Sequence, residues 1–293
     1  MDQAEQLRNM IKLNSQKVSG NARVLTVTSG KGGVGKSNLS LNLALQLKRA
    51  GQKVIIFDAD IGLANIEVLI GKVPRYSLAD VIFKGKNIKE IVTFGPEEIG
   101  FVSGGSGIRG LSELNADQIQ CLVRNLSELD AIADWIIIDT GAGISDSVME
   151  FVISGQDTIV LTTPEPTSIT DAYSLLKTLS RNPNYTKSNN RIHIVVNKVE
   201  NMLEGKQVFD KLHTVTDRFL HMDIQYLGAI PQDTFLEKAV RKQSPVTIEF
   251  PKAKSVQAFK NISYALLNKE QEKESHNGIA VMFKNFFTKR LFI

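Results

Sequence analysis

Short strand-like runs alternate with helical patterns along most of this 293-residue chain, and this alternation constrains its fold more than any other feature. The apolar, β-branched runs lie at residues 23–29, 53–60, 99–103, 135–139, 157–163, 191–197 and 224–230. Helical patterns separate most of them, for example at residues 36–51, 115–129 and 166–180. Nearly continuous Val and Ile runs are typical of strands buried on both faces, and strands that alternate with helices form parallel sheets through right-handed crossovers. The sequence therefore predicts an α/β fold, a doubly wound and mostly parallel sheet with helices on both faces.

The first strand-like run leads directly into a glycine-rich loop, SGKGGVGKSN, at residues 29–38. Four of its residues match the phosphate-loop pattern G-x-x-x-x-G-K-[ST], namely Gly30, Gly35, Lys36 and Ser37. In this pattern the glycines let backbone N–H groups surround phosphate oxygens, the lysine pairs with the β- and γ-phosphates, and the hydroxyl ligates Mg²⁺. The helix that follows points its N-terminal dipole at the same phosphates. The predicted nucleotide-binding loop comprises Gly30, Lys31, Gly32, Gly33, Val34, Gly35, Lys36, Ser37 and Asn38.

Charged residues beside this loop suggest what it does with a phosphate. Asp58 and Asp60 end the second run two residues apart, so on an extended chain their side chains point the same way. Asp139 ends the run WIIID, where a Walker B carboxylate holds Mg²⁺ or its waters. The alternative for a single Asp after a strand is a solvated turn. Lys31 is a second cation in the loop. This lysine is either solvated or reaches the negative charge that develops on a phosphate, including a phosphate bound by a facing subunit.

The segment KGGVGKS resembles the deviant Walker A motif of the MinD/ParA family of P-loop ATPases. The resemblance implies ATP hydrolysis in a nucleotide sandwich homodimer, with ATP and Mg²⁺ as cofactors. It implies that Lys31 is the signature lysine that reaches the partner's phosphates, and that Lys36 is the ordinary phosphate-loop lysine. It also implies that Asp60 orients the attacking water, which makes Lys31, Lys36 and Asp60 the catalytic residues.

The same resemblance implies which residues surround the metal and the base. Ser37, Asp58 and Asp139 hold Mg²⁺ in this interpretation, with Asp58 acting through the water shell of the ion. The implied adenine positions follow two later strand-like runs and are Asn197, Pro231, Gln232 and Asp233. Taken alone, each of these four is an ordinary turn residue.

The C-terminal segment GIAVMFKNFFTKRLFI, residues 278–293, carries three basic residues and no acidic one. Its apolar residues follow helical spacing, and the polar residues fall largely on the other side. A basic amphipathic helix of this kind lies in a membrane interface, and the alternative is a final helix docked on the protein's own core. The predicted contacts with an anionic membrane surface are Ile279, Met282, Phe283, Phe286, Phe287, Lys289, Arg290 and Leu291.

The N-terminal stretch DQAEQLRNMI resembles the DQAxxLR segment of the FlhG (FleN, YlxH) group of MinD-like regulators of flagellar number and placement. The matching residues are Asp2, Gln3, Ala4, Leu7 and Arg8. The resemblance implies that this segment engages the signal-recognition-type GTPase FlhF and stimulates its GTP hydrolysis. Flagellar basal-body or C-ring components are further expected partners. The alternative is a frayed polar leader ahead of the first strand.

These features divide the chain into four predicted parts. They are a partner-binding segment at 1–20, an ATPase domain at 21–267, a polar linker at 268–278 and an amphipathic membrane helix at 279–293. The formal charge of +4 resides at the two ends, with +1 in residues 1–20 and +3 in residues 278–293. Because the main domain is neutral, we expect no nucleic acid partner.

Composition narrows the location and the alternatives. The lone Cys121 lies in a helical pattern, where we expect it to fill the core, and an unpaired cysteine points to a reducing compartment. A secretory signal and a run of eighteen apolar residues are both absent from the sequence, so we expect a cytoplasmic protein that is reversibly peripheral at the inner face of the cell membrane. One cysteine and four scattered histidines argue against zinc and iron–sulfur sites.

The alternatives to an ATP-hydrolysing flagellar regulator are a MinD-type division-site ATPase, a ParA-type partition ATPase, or a nucleotide-gated scaffold for flagellar components with negligible hydrolysis.

Overall fold

One mostly parallel sheet forms the centre of the protein, whose computed structural model describes residues 22–60, 65–105, 111, 114–185, 190–268 and 278–290. The strands are β1 (Arg23–Ser29), β2 (Val54–Ala59), β3 (Thr93–Phe94), β4 (Gly100–Ser103), β5 (Trp135–Ala142), β6 (Asp157–Thr162), β7 (Arg191–Val199) and β8 (Gln225–Pro231). Their order in the sheet is β3-β4-β2-β5-β1-β6-β7-β8, and only the β3–β4 pair is antiparallel. The doubly wound, mostly parallel α/β fold predicted from the sequence is therefore confirmed.

Helices cover both faces of this sheet. They are α1 (Lys36–Arg49), α2 (Asn65–Ile70), α3 (Leu78–Lys84), α4 (Ile88–Ile91), α5 (Ala116–Asp130), α6 (Asp146–Ser154), α7 (Pro166–Arg181), α8 (Met202–Leu220), α9 (Thr234–Arg241), α10 (Val246–Glu249), α11 (Lys254–Asn268) and α12 (Ile279–Arg290). Leu25 and Val27 of β1 pack in one core with α1 and α11, whereas Val24 packs in a second core with α5 and α12. A third core joins α6, α7 and α8 to β7. The runs are apolar throughout because each strand has a core on both sides.

Two details differ from the sequence predictions. Strand β3 was not predicted, since two residues are too few to produce a periodic pattern. Cys121 is exposed on α5 and does not fill the core as expected. The next two residues, Leu122 and Val123, are buried, so Cys121 falls on the outer side of an amphipathic helix.

The final helix, α12, lies against α5 and α6 and belongs to one of the three cores. Phe283 is fully buried, and its ring centroid lies 5.7 Å from that of Phe57 in β2 and 5.8 Å from that of Phe151 in α6. The other buried apolar residues of the helix are Ile279, Ala280, Met282, Phe286 and Phe287. Of the two placements that the sequence left open, this structure contains the docked one. Within the part of the chain that is described, no helix has both the length and the apolar character needed to cross a membrane.

A buried charge cluster ties three strands together at the amino ends of β1, β6 and β7. The carboxylate of Asp157 accepts hydrogen bonds from Arg23 Nε at 3.0 Å and Arg191 Nε at 2.9 Å, and lies 3.1 Å from His193 Nε2. Burial opposes ionisation, but the His193 hydrogen bond and the two arginine charges outweigh it and hold the pKa of Asp157 well below its usual range. Arg23 also donates to the Leu266 carbonyl at 3.0 Å, which fixes the end of α11 to the sheet.

Candidate nucleotide site

The glycine-rich loop connects β1 to α1 at the carboxyl edge of the sheet. A Cβ on Gly30 would lie 2.2 Å from the backbone oxygen of Asp171 in α7, so the loop can approach that helix only without a side chain. Gly35 has a φ of 102°, a left-handed conformation that favours glycine, and α1 begins at the next residue. The first N–H groups of α1 therefore face the loop, in the arrangement that binds phosphate groups at helix N-termini.

Lys36 is the first residue of α1 and is buried. Its Nζ donates to Ser29 Oγ at 3.1 Å, and the Ser29 hydroxyl donates to the Lys31 carbonyl at 2.7 Å. Burial lowers the pKa of Lys36, and the negative charges of Asp139 and Asp60 act in the opposite direction. The lysine is thus held where a phosphate can replace the Ser29 hydroxyl as its partner.

Two of the predicted carboxylates face each other on neighbouring strands. Asp58 of β2 is in register with Asp139 of β5, and the Asp139 carboxylate accepts hydrogen bonds from Ser37 and Ser40. Burial, together with the charge of Asp139, raises the pKa of Asp58 to about 8. Burial also raises the pKa of Asp139 to about 6, against the effect of its hydrogen bonds. Two acidic groups held together in a buried site are stabilised by a divalent cation.

The oxygen atoms at this point fit a hard cation such as Mg²⁺. The Oδ2 atoms of Asp58 and Asp139 are buried and have no hydrogen-bond partner among the described residues. The Ser37 hydroxyl lies beside Asp139. No group of three or more His, Cys, Asp or Glu side chains gathers around a metal position in the described ranges. Bound Mg²⁺ would therefore depend on phosphate oxygens and water for its remaining ligands, as is usual for this ion.

Asp60 lies close to Gly141, near the end of β5. Its backbone N–H donates to Asp58 Oδ1 at 3.0 Å, and a Cβ on Gly141 would lie 3.5 Å from Asp60 Oδ1. Its negative charge also acts on Lys36. The structure therefore brings Asp58, Asp60 and Asp139 to one edge of the sheet beside the phosphate loop.

Lys31 makes its contacts away from Lys36, on its own chain. Its Nζ lies 2.8 Å from Glu165 Oε2 and 2.8 Å from Thr167 Oγ1, at the start of α7. The hydrogen bond and the charge of Lys31 lower the pKa of Glu165. Glu165 and Thr167 were not predicted from the sequence. The segment TTPEPT, which begins with the last residue of β6, could have indicated them. The residues after a parallel strand lie at this same edge of the sheet.

Asn197 contacts the phosphate loop from the end of β7. Its Nδ2 donates to the Val34 carbonyl at 2.7 Å, and its Oδ1 accepts from the Lys198 N–H at 2.8 Å. Lys198, also missed in the sequence, has a φ of 59° and donates from Nζ to the Gly33 carbonyl at 3.1 Å. These two residues hold the outer part of the loop in place.

The other predicted base-binding residues lie next to β7 at the end of β8. The Gln232 N–H donates to the Val199 carbonyl at 2.9 Å, directly after Pro231. Asp233 caps α9, since its Oδ1 accepts from the Phe235 N–H at 2.9 Å and its Oδ2 from the Ser255 N–H at 2.9 Å. The residues of this group are adjacent to Asn197, but the Asp233 carboxylate already has backbone partners.

The predicted partner and membrane contacts are not part of this site. Asp2, Gln3, Ala4, Leu7, Arg8 and Leu291 lie outside the described residues, as do the side chains of Lys289 and Arg290. The remaining predicted membrane residues are buried in the docked α12.

The fold and this loop together define a P-loop nucleotide-binding protein of the MinD type. Residues 25–246 match the CobQ/CobB/MinD/ParA nucleotide binding domain, and the chain belongs to that family. Among solved structures, the septum site-determining protein MinD of Pyrococcus horikoshii, which was determined with Mg-ADP, superimposes with a TM-score of 0.65. It is 22% identical, and the match covers 86% of this chain and 100% of that one, so it supports the fold.

Two curated relatives place the chain more closely within the family. The antiactivator FleN of Pseudomonas aeruginosa is 42% identical over 241 residues, which cover 82% of this chain and 85% of FleN. The flagellum site-determining protein YlxH of Helicobacter pylori is 33% identical over 248 residues, which cover 83% of this chain and 82% of YlxH. The membership of the FlhG (FleN, YlxH) group of MinD-like ATPases that the sequence predicted is thereby confirmed.

Proposed function

We propose that the protein is an ATP-hydrolysing, dimerising switch that regulates flagellar number and placement. The observation that carries the proposal is the in-register pair Asp58 and Asp139 beside Lys36, with a second lysine, Lys31, at the same edge. This arrangement supplies a metal position, a phosphate position and a movable cation in one place. The flagellar role rests on the similarity to FleN and YlxH.

In this proposal each charged group has one task. Lys36 and the loop N–H groups bind the β- and γ-phosphates. Ser37, with Asp58 and Asp139, holds Mg²⁺, which neutralises charge on the phosphate oxygens when bound. Asp60 orients the attacking water, and Lys31 leaves Glu165 to reach the phosphates of the facing subunit. Asn197, Pro231, Gln232 and Asp233 form the adenine pocket.

The C-terminal helix couples this cycle to an anionic membrane surface. The apolar face that would enter the membrane is the face that α12 buries against α5 and α6, so binding requires its release. One released helix binds weakly, whereas two on a dimer bind far better, since the second acts at an effective concentration in the millimolar range. We infer that ATP-dependent dimerisation selects the released, membrane-bound state.

Helix α6 provides a physical connection between the two regions. It starts at Asp146, after the short loop that follows Gly141 and Ala142 of β5, and Gly141 lies beside Asp60. The helix presents Phe151 to α12. A change of that loop when a γ-phosphate is present would displace α6, and with it the surface on which Phe283 and Phe286 rest. Asp60 and α12 are thus separated by one loop and one helix.

The N-terminal segment, residues 1–20, completes the proposed switch by engaging an FlhF-type GTPase. In this scheme the domain at 21–267 hydrolyses ATP, the linker at 268–278 allows the final helix to move, and residues 279–293 bind the membrane. Basal-body or C-ring components are the further partners. The protein is then cytoplasmic when α12 is docked and peripheral at the inner face of the membrane when it is released.

Phosphate release tests the enzymatic part of the proposal. It is measured with ATP and Mg²⁺ for wild type and Asp60→Ala, with and without vesicles of anionic phospholipid. We expect wild type to turn over ATP faster than the variant by a factor on the order of 100, the typical contribution of a positioned general base or water-orienting group. Equal, slow release by both proteins in all conditions would favour a nucleotide-gated scaffold.

A further inference from the structure

Helix α12 begins with a cap that comes from elsewhere in the chain. The N–H groups of Ile279 and Ala280 donate to the two carboxylate oxygens of Asp130 at 2.7 and 3.2 Å. Asp130 is the last residue of α5 and is 4% exposed. The first N–H groups of a helix have no partner inside it, and the residue just before the helix normally supplies a side chain for them. Here that residue is Gly278, which has none.

Gly278 leaves room for the Asp130 carboxylate, which any side chain at this position would have to displace. A Cβ built on it would lie 2.2 Å from Asp130 Oδ1 and 2.2 Å from Asp130 Cγ, far inside contact distance. Its carbonyl accepts from the Met282 N–H at 3.0 Å, so the helix starts directly at this contact. The carboxylate and the helix start are therefore fitted to each other.

This contact exists only while α12 is docked, because its two halves lie 149 positions apart in the chain. Burial raises the pKa of Asp130 to about 6, while the N–H groups of Ala280 and Ile279 act to lower it. In the docked state the carboxylate gives up water for the helix N–H groups and their dipole. Release returns both partners to water, whereas a docked helix without the carboxylate would keep two buried N–H groups that lack an acceptor.

We propose that Asp130 and Gly278 form the latch that holds α12 on the domain and that opens when the helix is released. The reason for releasing the helix rests on the proposed membrane function. The contact between Asp130 and Gly278 is a property of the fold and does not depend on that function. The apolar face of α12 has similar partners in lipid and in the groove, whereas the Asp130 contact is specific to the groove. The Asp130 contact therefore sets the fraction of molecules in which α12 is free before any nucleotide binds.

The test uses full-length protein without nucleotide. Hydrogen exchange of the α12 amides is compared for wild type, Gly278→Ala and Asp130→Ala. The added methyl group displaces the carboxylate, and the aspartate substitution leaves two N–H groups without their acceptor. In both variants we expect exchange in α12 to be faster by about fivefold or more, the effect of losing a helix cap, with β1, β5 and β6 unchanged. Glu128→Gln is the matched control, since Glu128 lies on the same turn of α5 but contacts Asn87 and Lys89.

The same samples are then sedimented with phosphatidylglycerol vesicles. We expect both latch variants to bind more than wild type without nucleotide, and Glu128→Gln to bind as wild type does. Unchanged α12 exchange in Gly278→Ala would overturn the latch, and this variant decides the matter if Asp130→Ala does not fold. Faster α12 exchange without any vesicle binding would leave the latch standing and overturn the membrane function.

Discussion

Lys31 is paired with Glu165 of its own chain, with 2.8 Å between Nζ and Oε2, in a structure that contains a single subunit. The lysine that the family resemblance assigns to a facing subunit is thus held by a local carboxylate and by Thr167. The pair is partly exposed, at 37% for Lys31 and 60% for Glu165, so solvent weakens it. A weak intramolecular pair suits a side chain that must leave in order to act elsewhere.

Glu165→Gln should promote dimerisation. Without its charged partner, Lys31 is freer to reach a second subunit, and we expect ATP-dependent dimers to form at a concentration lower by about two- to fivefold, as the loss of an exposed ion pair allows. Sedimentation velocity with ATP measures the concentration at which dimers form.

Lys31→Ala should impair dimerisation or turnover more than nucleotide binding. An unchanged dimer with normal activity in Lys31→Ala would refute the role across the interface.

Ser37→Ala should separate metal binding from nucleotide binding. The variant removes the hydroxyl beside Asp139 but keeps the loop N–H groups and Lys36, so ADP affinity without metal should change little. Affinity with Mg²⁺ should fall by about tenfold, the consequence of losing one ligand and its hydrogen bond to Asp139. Calorimetric titration with and without Mg²⁺ measures both. An equal loss in the two conditions would place the metal elsewhere.

Phe283→Ala should destabilise the whole domain, because the ring is fully buried between Phe57 and Phe151. We expect a loss of about 3 to 5 kcal/mol in the free energy of unfolding, the usual result of emptying a buried Phe site. Urea denaturation measures it. The half-buried Asn285 provides the control, and Asn285→Ala should cost little. Comparable, small losses in both variants would mean that α12 does not contribute to the core in solution.

Asp157→Asn should destabilise the protein most at neutral pH. The folded-state pKa of Asp157 is held below its unfolded value, so its contribution is fully present above about pH 4, the unfolded value, and is lost as pH falls through the folded value. Removing the charge leaves Arg23 and Arg191 partly unpaired, and we expect a loss of about 3 kcal/mol at pH 7. The difference from wild type in urea unfolding should shrink as the pH is lowered from 7 toward 3. A difference that grows on acidification would contradict the assignment.

A peptide of residues 1–20 should accelerate GTP hydrolysis by an FlhF-type GTPase. The prediction follows from the match of Asp2, Gln3, Ala4, Leu7 and Arg8 to the DQAxxLR segment. The measurement is GTP turnover with the peptide and with a variant in which Leu7 and Arg8 are replaced by alanine. Equal rates with both peptides and with none would remove this partner from the proposed function.

Parts of the site followed from the sequence because they depend on local patterns. Asp58 and Asp139 each end an apolar run, and parallel strands bring such ends to one edge of the sheet. Glu165 precedes α7 and Lys198 lies near the end of β7, and both were missed because nothing in the local sequence distinguishes them. Their role comes only from the residues that lie opposite them, Lys31 and Gly33. Asp233 follows a strand as expected, but its carboxylate is engaged by α9 and by Ser255, which no spacing in the sequence indicates.

By itself, the sequence determined the α/β fold and the phosphate loop, since buried strands must be apolar on both faces and a phosphate loop needs glycines, a lysine and a hydroxyl at set positions. Only the tertiary structure decided where α12 and Lys31 lie. An amphipathic helix has the same pattern whether its apolar face meets lipid or protein, and the choice here is made by the groove that contains Phe57 and Phe151 and by the Asp130 carboxylate. A flexible lysine likewise takes the partner that the fold places nearest, which is Glu165.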